Sequence, residues 1–298
     1  MENELDLSII QFPHPGSEHR VAKDGWTSWN TESHCRKFMI NHGKYLATNS
    51  QVVESDIVFW GEWEPPSERV FSWPAKGDFP TNLVRPRFPG QPAHTPGIQN
   101  TDPYIFGDKF RYTLCKQIKI KRGSATYMTR VAPGSMILFG SPKKNTFVLD
   151  LVFVISKDIV PHSRTNWSEK LKERVSDTYR SVTMNPMYWD ATIPENFQFM
   201  MYEGTPYSPL THEIFSFFPC LPVSSTTEFP RFARPTIELQ GIINPLSKQS
   251  QKKTTLNEYE ISGAWESVVS QVRNQGLELG ISTVEPTLTD VPKHHWPI

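Results

Sequence analysis

Cysteine is scarce: the 298 residues hold three, at positions 35, 115 and 220. They lie far apart with no CxxC pair, which excludes a disulfide framework and a zinc ribbon and leaves buried thiols as the expectation. No apolar run approaches the ~18 to 20 residues needed to cross a bilayer, so no membrane partner is expected. Excess charge is lacking too, since 31 Lys plus Arg balance 31 Asp plus Glu. That removes the overall basicity that accompanies non-specific nucleic-acid binding, while a local basic patch stays open. The opening MENELDLSII is acidic, without the apolar core or small-residue cleavage site of a secretory leader, so a cytoplasmic location is expected. Also absent are G-x-x-x-x-G-K-[ST], G-x-G-x-x-G after a strand, G-x-S-x-G, and H-x-E with P-C-x-x-C. P-loop ATPases, Rossmann dehydrogenases, α/β-hydrolases and zinc deaminases are thereby set aside. No motif specifies a cofactor or a metal.

Proline and aromatic residues are plentiful, with 26 Pro, 9 Trp, 9 Tyr and 18 Phe. Such a composition favours short strands and ordered loops over helices. The expected fold is α+β and β-rich: a mainly antiparallel sheet or barrel with two or more amphipathic helices and long Pro-rich loops, built as one domain over residues 1–298. LDLSIIQF (5–12) alternates as a first strand, KFMINHGKYLA (37–47) suggests a hairpin turning at His42-Gly43, and DIVFWGEWE (56–64) reads as a third strand. Residues 65–103, with a proline every few positions, read as one long loop, ordered by its aromatic residues.

The strongest strand pair is GSMILFGS (134–141) and NTFVLDLVFVIS (145–156), joined by PKKN. In the second member Phe147, Leu149, Leu151, Phe153 and Ile155 share one face, and Val148, Asp150, Val152 and Val154 the other. Both faces are apolar, so Asp150 must find a partner. Trp167, Leu171, Val175, Tyr179 and Val182 form one stripe, and with Asn166 as cap and Glu169 after it they predict an amphipathic helix. A second helix is expected from about Gly263 to Gln275, with Trp265, Val268, Val269 and Val272 inward and Gly276 beyond its end. Residues 245–258, polar and basic, read as an exposed mobile loop. FQFMMYEG and TIELQGII continue the β structure.

Pro133-Gly134-Ser135, the apolar MILFG, a short turn and FVLDLVFVI together resemble the central strands of PUA-like barrels, the group with the ASCH and EVE domains. The resemblance covers about residues 133–156. It implies binding of RNA, or of DNA carrying a modified base, with aromatic side chains holding a base that has left its stack. No pocket residue of that group maps onto a position here, and the chain is far longer than a bare PUA-like domain.

Several polar clusters could carry chemistry. FPHPGSEH places His14, Glu18 and His19 within six residues on a Pro- and Gly-fixed turn, where the helical spacing behind H-E-x-x-H is missing. Two loop imidazoles and a carboxylate still suit metal binding or acid–base work, since histidine titrates near neutrality; a solvated loop or structural hydrogen bonding is the plainer alternative. WGEWEPPS sets Glu62 and Glu64 on one strand face, flanked by Trp60 and Trp63. Carboxylates buried against indoles can have split pKa values, although strand-edge glutamates are commonly just exposed. QNTDPYIFGDKFRY contributes Asn100, Asp102 and Arg111 as ligand-facing candidates, against a turn-forming role for Asn and Asp beside proline. The basic candidates are His34, Arg36 and Lys37, then Arg85 and Arg87, then Lys116, Lys119, Lys121 and Arg122, and finally Arg231 and Arg234. In KQIKIKR Lys119 and Lys121 share one strand face and Ile118 and Ile120 the other, which fits phosphate contact or simple protection of an edge.

Three functional expectations follow. The first is recognition, with or without cleavage, of a nucleotide or nucleic-acid partner, in which Trp60 and Trp63 stack a base while Arg36, Asn100, Asp102 and Arg111 hold the rest. The second is an acid–base hydrolase or glycosidase with His14, Glu18, His19, Glu62 and Glu64 as catalytic residues. The third is a non-catalytic interaction module whose aromatics are core. Convergence of residues 14–19, 60–64 and 100–102 favours an enzyme or a specific ligand pocket.

Overall fold

Short alternating segments, each closed by proline, glycine or a polar turn, gather into two seven-stranded sheets. The computed structural model describes residues 5–14, 18, 20–27, 29, 35–90, 98–189, 192–211, 213–224, 228–247 and 251–289. In the first sheet the order is β15 (Lys252–Thr255), β1 (Ser8–Pro13), β10 (Met136–Lys143), β11 (Thr146–His162), β12 (Phe199–Gly204) and β7 (Arg111–Tyr112), with β14 (Thr236–Ile237) also on β11. In the second it is β16 (Glu278–Thr283), β13 (Phe218–Pro222), β4 (Val52–Gly61), β3 (Lys37–Leu46), β6 (Asn82–Pro86), β5 (Ser67–Ser72) and β2 (Trp26–Thr27). Because β16 pairs with β3 as well as β13, four of these strands close a circuit. A separate ribbon joins β8 (Ile118–Lys119) to β9 (Ser124–Ala125). Among the described strands, pairing is antiparallel except for β1 with β10 and β3 with β6. The protein is thus a β-rich α+β fold.

The expected pair 134–141 and 145–156 is the antiparallel β10–β11 ladder at the middle of the first sheet. Its register jumps from Phe139↔Leu151 to Gly140↔Leu149, so Asp150 is the extra residue of a β-bulge. The bulge reverses the alternation: Leu151, Phe153 and Ile155 pack in one core cluster, whereas Phe147 and Leu149 join Val152 and Val154 in the other. The single face predicted for residues 147–155 is therefore split at Asp150. Opposite the bulge, a Cβ on Gly140 would meet the Val148 carbonyl oxygen at 2.1 Å, so only glycine fits there.

Other expectations are corrected by long-range packing. Residues 37–46 form one strand without a turn at His42-Gly43. Gly43 is there for closeness, since its Cβ would lie 2.4 Å from the Ser282 carbonyl oxygen of β16. The proline-rich stretch 65–103 contains β5 and β6, whose strands fit between the prolines, while residues 91–97 lie outside the described residues. Within 245–258, Lys252–Thr255 pairs with β1 instead of forming a loop throughout. KQIKIKR gives only the two residues of β8 and then a 3-10 turn, Ile120–Arg122, so its lysines do not line a strand face.

The predicted helix over 166–182 is broken. Its stripe faces inward, with Leu171, Val175, Tyr179 and Val182 buried, yet the backbone divides into α1 (Trp167–Lys170), α2 (Asp177–Tyr179), a π turn (Arg180–Met184) and α3 (Asn185–Trp189). Asn166 spends its side-chain oxygen on the Ser163 N–H at 2.8 Å and makes no helix cap, while Ser176 caps a fresh start through the Tyr179 N–H at 3.0 Å. α4 (Glu258–Asn274) begins earlier than the expected Gly263, at an Asn257/Glu260 capping box, and ends before Gly276 at φ +76°. Trp265 donates to the Phe215 carbonyl at 2.9 Å and lies against the second core cluster. No helix among the described residues is long and apolar enough to cross a membrane.

Candidate functional site

The clustered chemistry sits where β1, β3 and β4 end against the bulge of β11. Arg36 immediately precedes β3 and Glu62 immediately follows β4. Since Lys37 pairs with Gly61, these two residues continue the ladder by one position and face each other. Arg36 Nη1 donates to Glu62 Oε2 at 2.8 Å, and Arg36 Nε donates to Asp150 Oδ2 at 3.0 Å. Arg234 adds a bond from Nη1 to the same Asp150 oxygen at 3.4 Å and one to Ser141 Oγ at 3.1 Å. The bulge thus aims Asp150 at two guanidinium groups, the partners that a buried carboxylate requires.

His14 follows β1 and is pinned to β10 on both sides of its backbone: its N–H donates to the Gly140 carbonyl at 2.7 Å, and its carbonyl accepts from Ser141 Oγ at 2.5 Å. Its ring Nδ1 lies 3.6 Å from Glu62 Oε2, and its Nε2 lies 3.8 Å from Cys115 Sγ. Glu62 Oε1 receives the Asp102 N–H at 3.4 Å. Asp102, followed by a cis peptide to Pro103, holds the backbone N–H groups of Thr113, Leu114 and Cys115 at 3.0, 2.8 and 2.8 Å. One carboxylate thereby ties residues 113–115 to the segment carrying residues 100–102.

Lys37 and Glu64 form a neighbouring buried pair. Lys37 Nζ donates to the Pro65 carbonyl at 2.9 Å and to Ser67 Oγ at 3.1 Å, and the Glu64 N–H donates to Thr101 Oγ1 at 3.1 Å. Burial pushes the Lys37 ammonium down to about 7 against the attraction of Glu64, and pushes the Glu64 carboxyl up to about 7 against Lys37. Burial likewise raises Glu62 well above the usual carboxylate range, opposed by Arg36 and reinforced by the charges of Glu64 and Asp102. For Asp102 burial raises the carboxyl to about 6, with the backbone N–H bonds pulling the other way. Burial also lifts the Cys115 thiol, as do Asp102 and Glu62.

Arg36, Trp60, Glu62, Pro103, Ile105 and Asp150 are among the residues lining a small cavity. Arg36 Nη2 and Asp150 Oδ1 are buried without a hydrogen-bond partner among the described residues, as is Asn100 Nδ2. A ligand oxygen would satisfy the guanidinium donor, and a ligand N–H or O–H the carboxylate.

Of the residues singled out from sequence, His14, Arg36, Glu62 and Asp102 converge, with Glu64 and Asn100 beside them. Glu62 and Glu64 lie past the end of β4, buried, instead of along a strand face. Glu18 is elsewhere occupied: its carboxylate accepts from the Thr81 N–H and hydroxyl and from the Asn82 N–H, all at 2.7 Å. It is a brace for residues 81–82. His19 lies outside the described residues. Arg111 donates to the Arg174 carbonyl at 2.8 Å and covers the Tyr179 ring, which gives it a structural use. Trp63 is fully buried, edge-on to Phe106. Trp60 donates to the Phe232 carbonyl at 3.0 Å, with Arg234 over its ring. Trp63 offers no open face for a base, whereas Trp60 borders the small cavity. Cys115 was expected only as a buried thiol, because nothing in RYTLCKQ marks its nearness to His14.

Among the described residues no group of three or more His, Cys, Asp or Glu is arranged to hold a metal ion. No protein-family model matches the chain, and no curated protein or solved structure is significantly similar to it.

Proposed function

We propose that the protein is an enzyme that moves protons on a small polar ligand bound beside Glu62, with His14, Glu62 and Asp102 as the proton-handling groups and Arg36 as the ligand's charge partner. The observation that carries this reading is the convergence of His14, Arg36, Glu62, Asp102 and Asp150, from five chain segments, on one buried cluster next to a cavity. A fold that only needed stability would fill this space with apolar side chains, because burying several charges costs more than their attraction returns unless the geometry is good. Carboxyl groups raised by burial are the kind that donate protons near neutral pH. Nucleosides and nucleotides head the ligands to test, since the strand pair at 133–156 resembles the PUA-like group that holds bases.

The test is thermal unfolding against nucleosides, nucleotides, sugars and simple amides, with Glu62→Gln and His14→Asn beside the parent chain. A ligand of the folded state at a hundred times its dissociation constant adds about 2.7 kcal/mol of stability. The expected result is a shift in the parent chain that both variants lose. A shift equal in all three proteins, or none with any compound, would overturn the reading.

A further inference from the structure

The cluster contains one nucleophile that its acid–base groups do not account for. Cys115 Sγ lies 3.8 Å from His14 Nε2 and 3.5 Å from the Asp102 carbonyl oxygen, and His14 Nδ1 lies 3.6 Å from Glu62 Oε2, an ion-pair separation longer than a hydrogen bond. Thiol, imidazole and carboxylate in that order can draw a proton off sulfur and stabilise the imidazolium that results. These three come from residues 14, 62 and 115, three separate parts of the chain, so local sequence has not placed them together.

Each member is held. The Glu62 oxygen that faces His14 also accepts from Arg36. His14 is fixed to Gly140 and Ser141 through its backbone. Cys115 is fixed through its N–H on Asp102, and the next residue, Lys116, takes a left-handed φ of 61° and donates to the Pro13 carbonyl at 2.7 Å. Cys35 and Cys220 are buried, whereas Cys115 retains partial exposure. A second observation points to a ligand. Arg36, 1% exposed, lines a water-sized cavity beside Glu62, whose lining residues do not include His14 or Cys115, with Nη2 lacking a hydrogen-bond partner among the described residues. A guanidinium donor left open there suits a substrate oxygen.

We propose that Cys115 is the nucleophile of this site, with His14 as its general base, Glu62 as the group that orients His14, and an acyl compound (an ester, thioester or amide) as substrate. The proposal rests on the reading of the cluster as a proton-handling site. Sγ forms a bond to the acyl carbon as its proton passes to His14 Nε2. The bond from that carbon to the leaving oxygen, sulfur or nitrogen breaks, and the leaving group takes the proton. Water then attacks the thioester, giving its proton to His14, which returns it to sulfur; one water is consumed and one carboxylic acid released. No electrons change hands. Burial keeps the Cys115 thiol protonated beforehand, so the proton has to leave during attack, which is the reason for an imidazole in contact.

The experiment treats the full chain with p-nitrophenyl acetate, following p-nitrophenolate release and locating the acetyl group by peptide mass spectrometry. The expected result is a rapid first phase with acetyl on Cys115, abolished in Cys115→Ser. In His14→Asn and His14→Gln the acetylation should slow by about 100-fold, the scale of general-base catalysis, and thermal unfolding confirms that each variant is folded. Acetyl found only on lysines or on the other cysteines, or unchanged acetylation in both folded His14 variants, would overturn the proposal. If acetylation fails while ligand stabilisation dependent on Glu62 persists, the thiol step alone falls. If both fail, the underlying reading falls with it.

Discussion

Asp102 meets opposed forces that make it a sensitive reporter of the site. Three backbone N–H groups favour its charged form, yet burial outweighs them and lifts the carboxyl to about 6, against an ordinary value of 3.8. The folded state therefore keeps this proton to higher pH than the unfolded chain does. Stability from this group is fully present below about pH 4 and is lost as pH rises through about 6, the reverse of an ordinary salt-bridged aspartate, with a span of about 3 kcal/mol. Asp102→Asn cannot ionise. Urea unfolding at pH 4 and pH 6 should show the parent chain losing about 2 kcal/mol of that span relative to the variant over that interval. An unchanged difference between the two proteins would show that Asp102 does not titrate there. Residue identity was largely legible in the sequence: Asp150 stood out as a carboxylate in an apolar row, and Glu62 and Asp102 stood beside fixed turns. Their partners were not, because Arg36 is 114 positions from Asp150, and no spacing rule spans such a gap.

At the scale of elements, the bulge in β11 is the device that turns a structural strand toward the site. It depends on Gly140, where any side chain would collide with the Val148 backbone. Gly140→Ala should cost about 1–3 kcal/mol in urea unfolding, the usual range for forcing atoms into a packed interior. The same substitution should weaken the site by moving Asp150 away from Arg36. A variant of parent stability would mean that the ladder absorbs the extra carbon freely. The elements also show how far local pattern reaches. The β10–β11 pair was legible because its alternation and turn are local. α4 was legible at its end, where Gly276 is a sharp signal, and its start was hidden by weight given to Gly263 over the capping pair Asn257 and Glu260. The stripe of 167–182 located the buried face correctly but not the break at Ser176, where a side-chain cap competes with helix continuation. Gly43 looked like a turn, and its actual use, the close passage of β16, depends on the Ser282 carbonyl 239 positions away, beside its register partner Thr283.

For the whole molecule, the two sheets share a core. One apolar cluster takes Ile10 and Phe12 from β1, Phe139 from β10 and Phe153 from β11, together with Met39 from β3, Phe59 from β4 and Phe218 from β13. Neither sheet can then lose its packing without exposing the other. Tryptophan fluorescence and far-ultraviolet circular dichroism should report one coincident urea transition. Two separated transitions would show that the sheets unfold independently.

What the sequence determined by itself was the β-rich class, several of the longer strands, the buried stripes of the helical segments and the identity of the reactive side chains, because these follow from composition and from periods of two and 3.6 residues. Only the tertiary structure decided which reactive groups meet. His14, Arg36, Glu62, Asp102, Cys115 and Asp150 come together through strand pairing, a bulge and loop closure. The physical reason is that such long-range contacts are selected by the burial of the whole core, a sum over the entire chain that no local window contains.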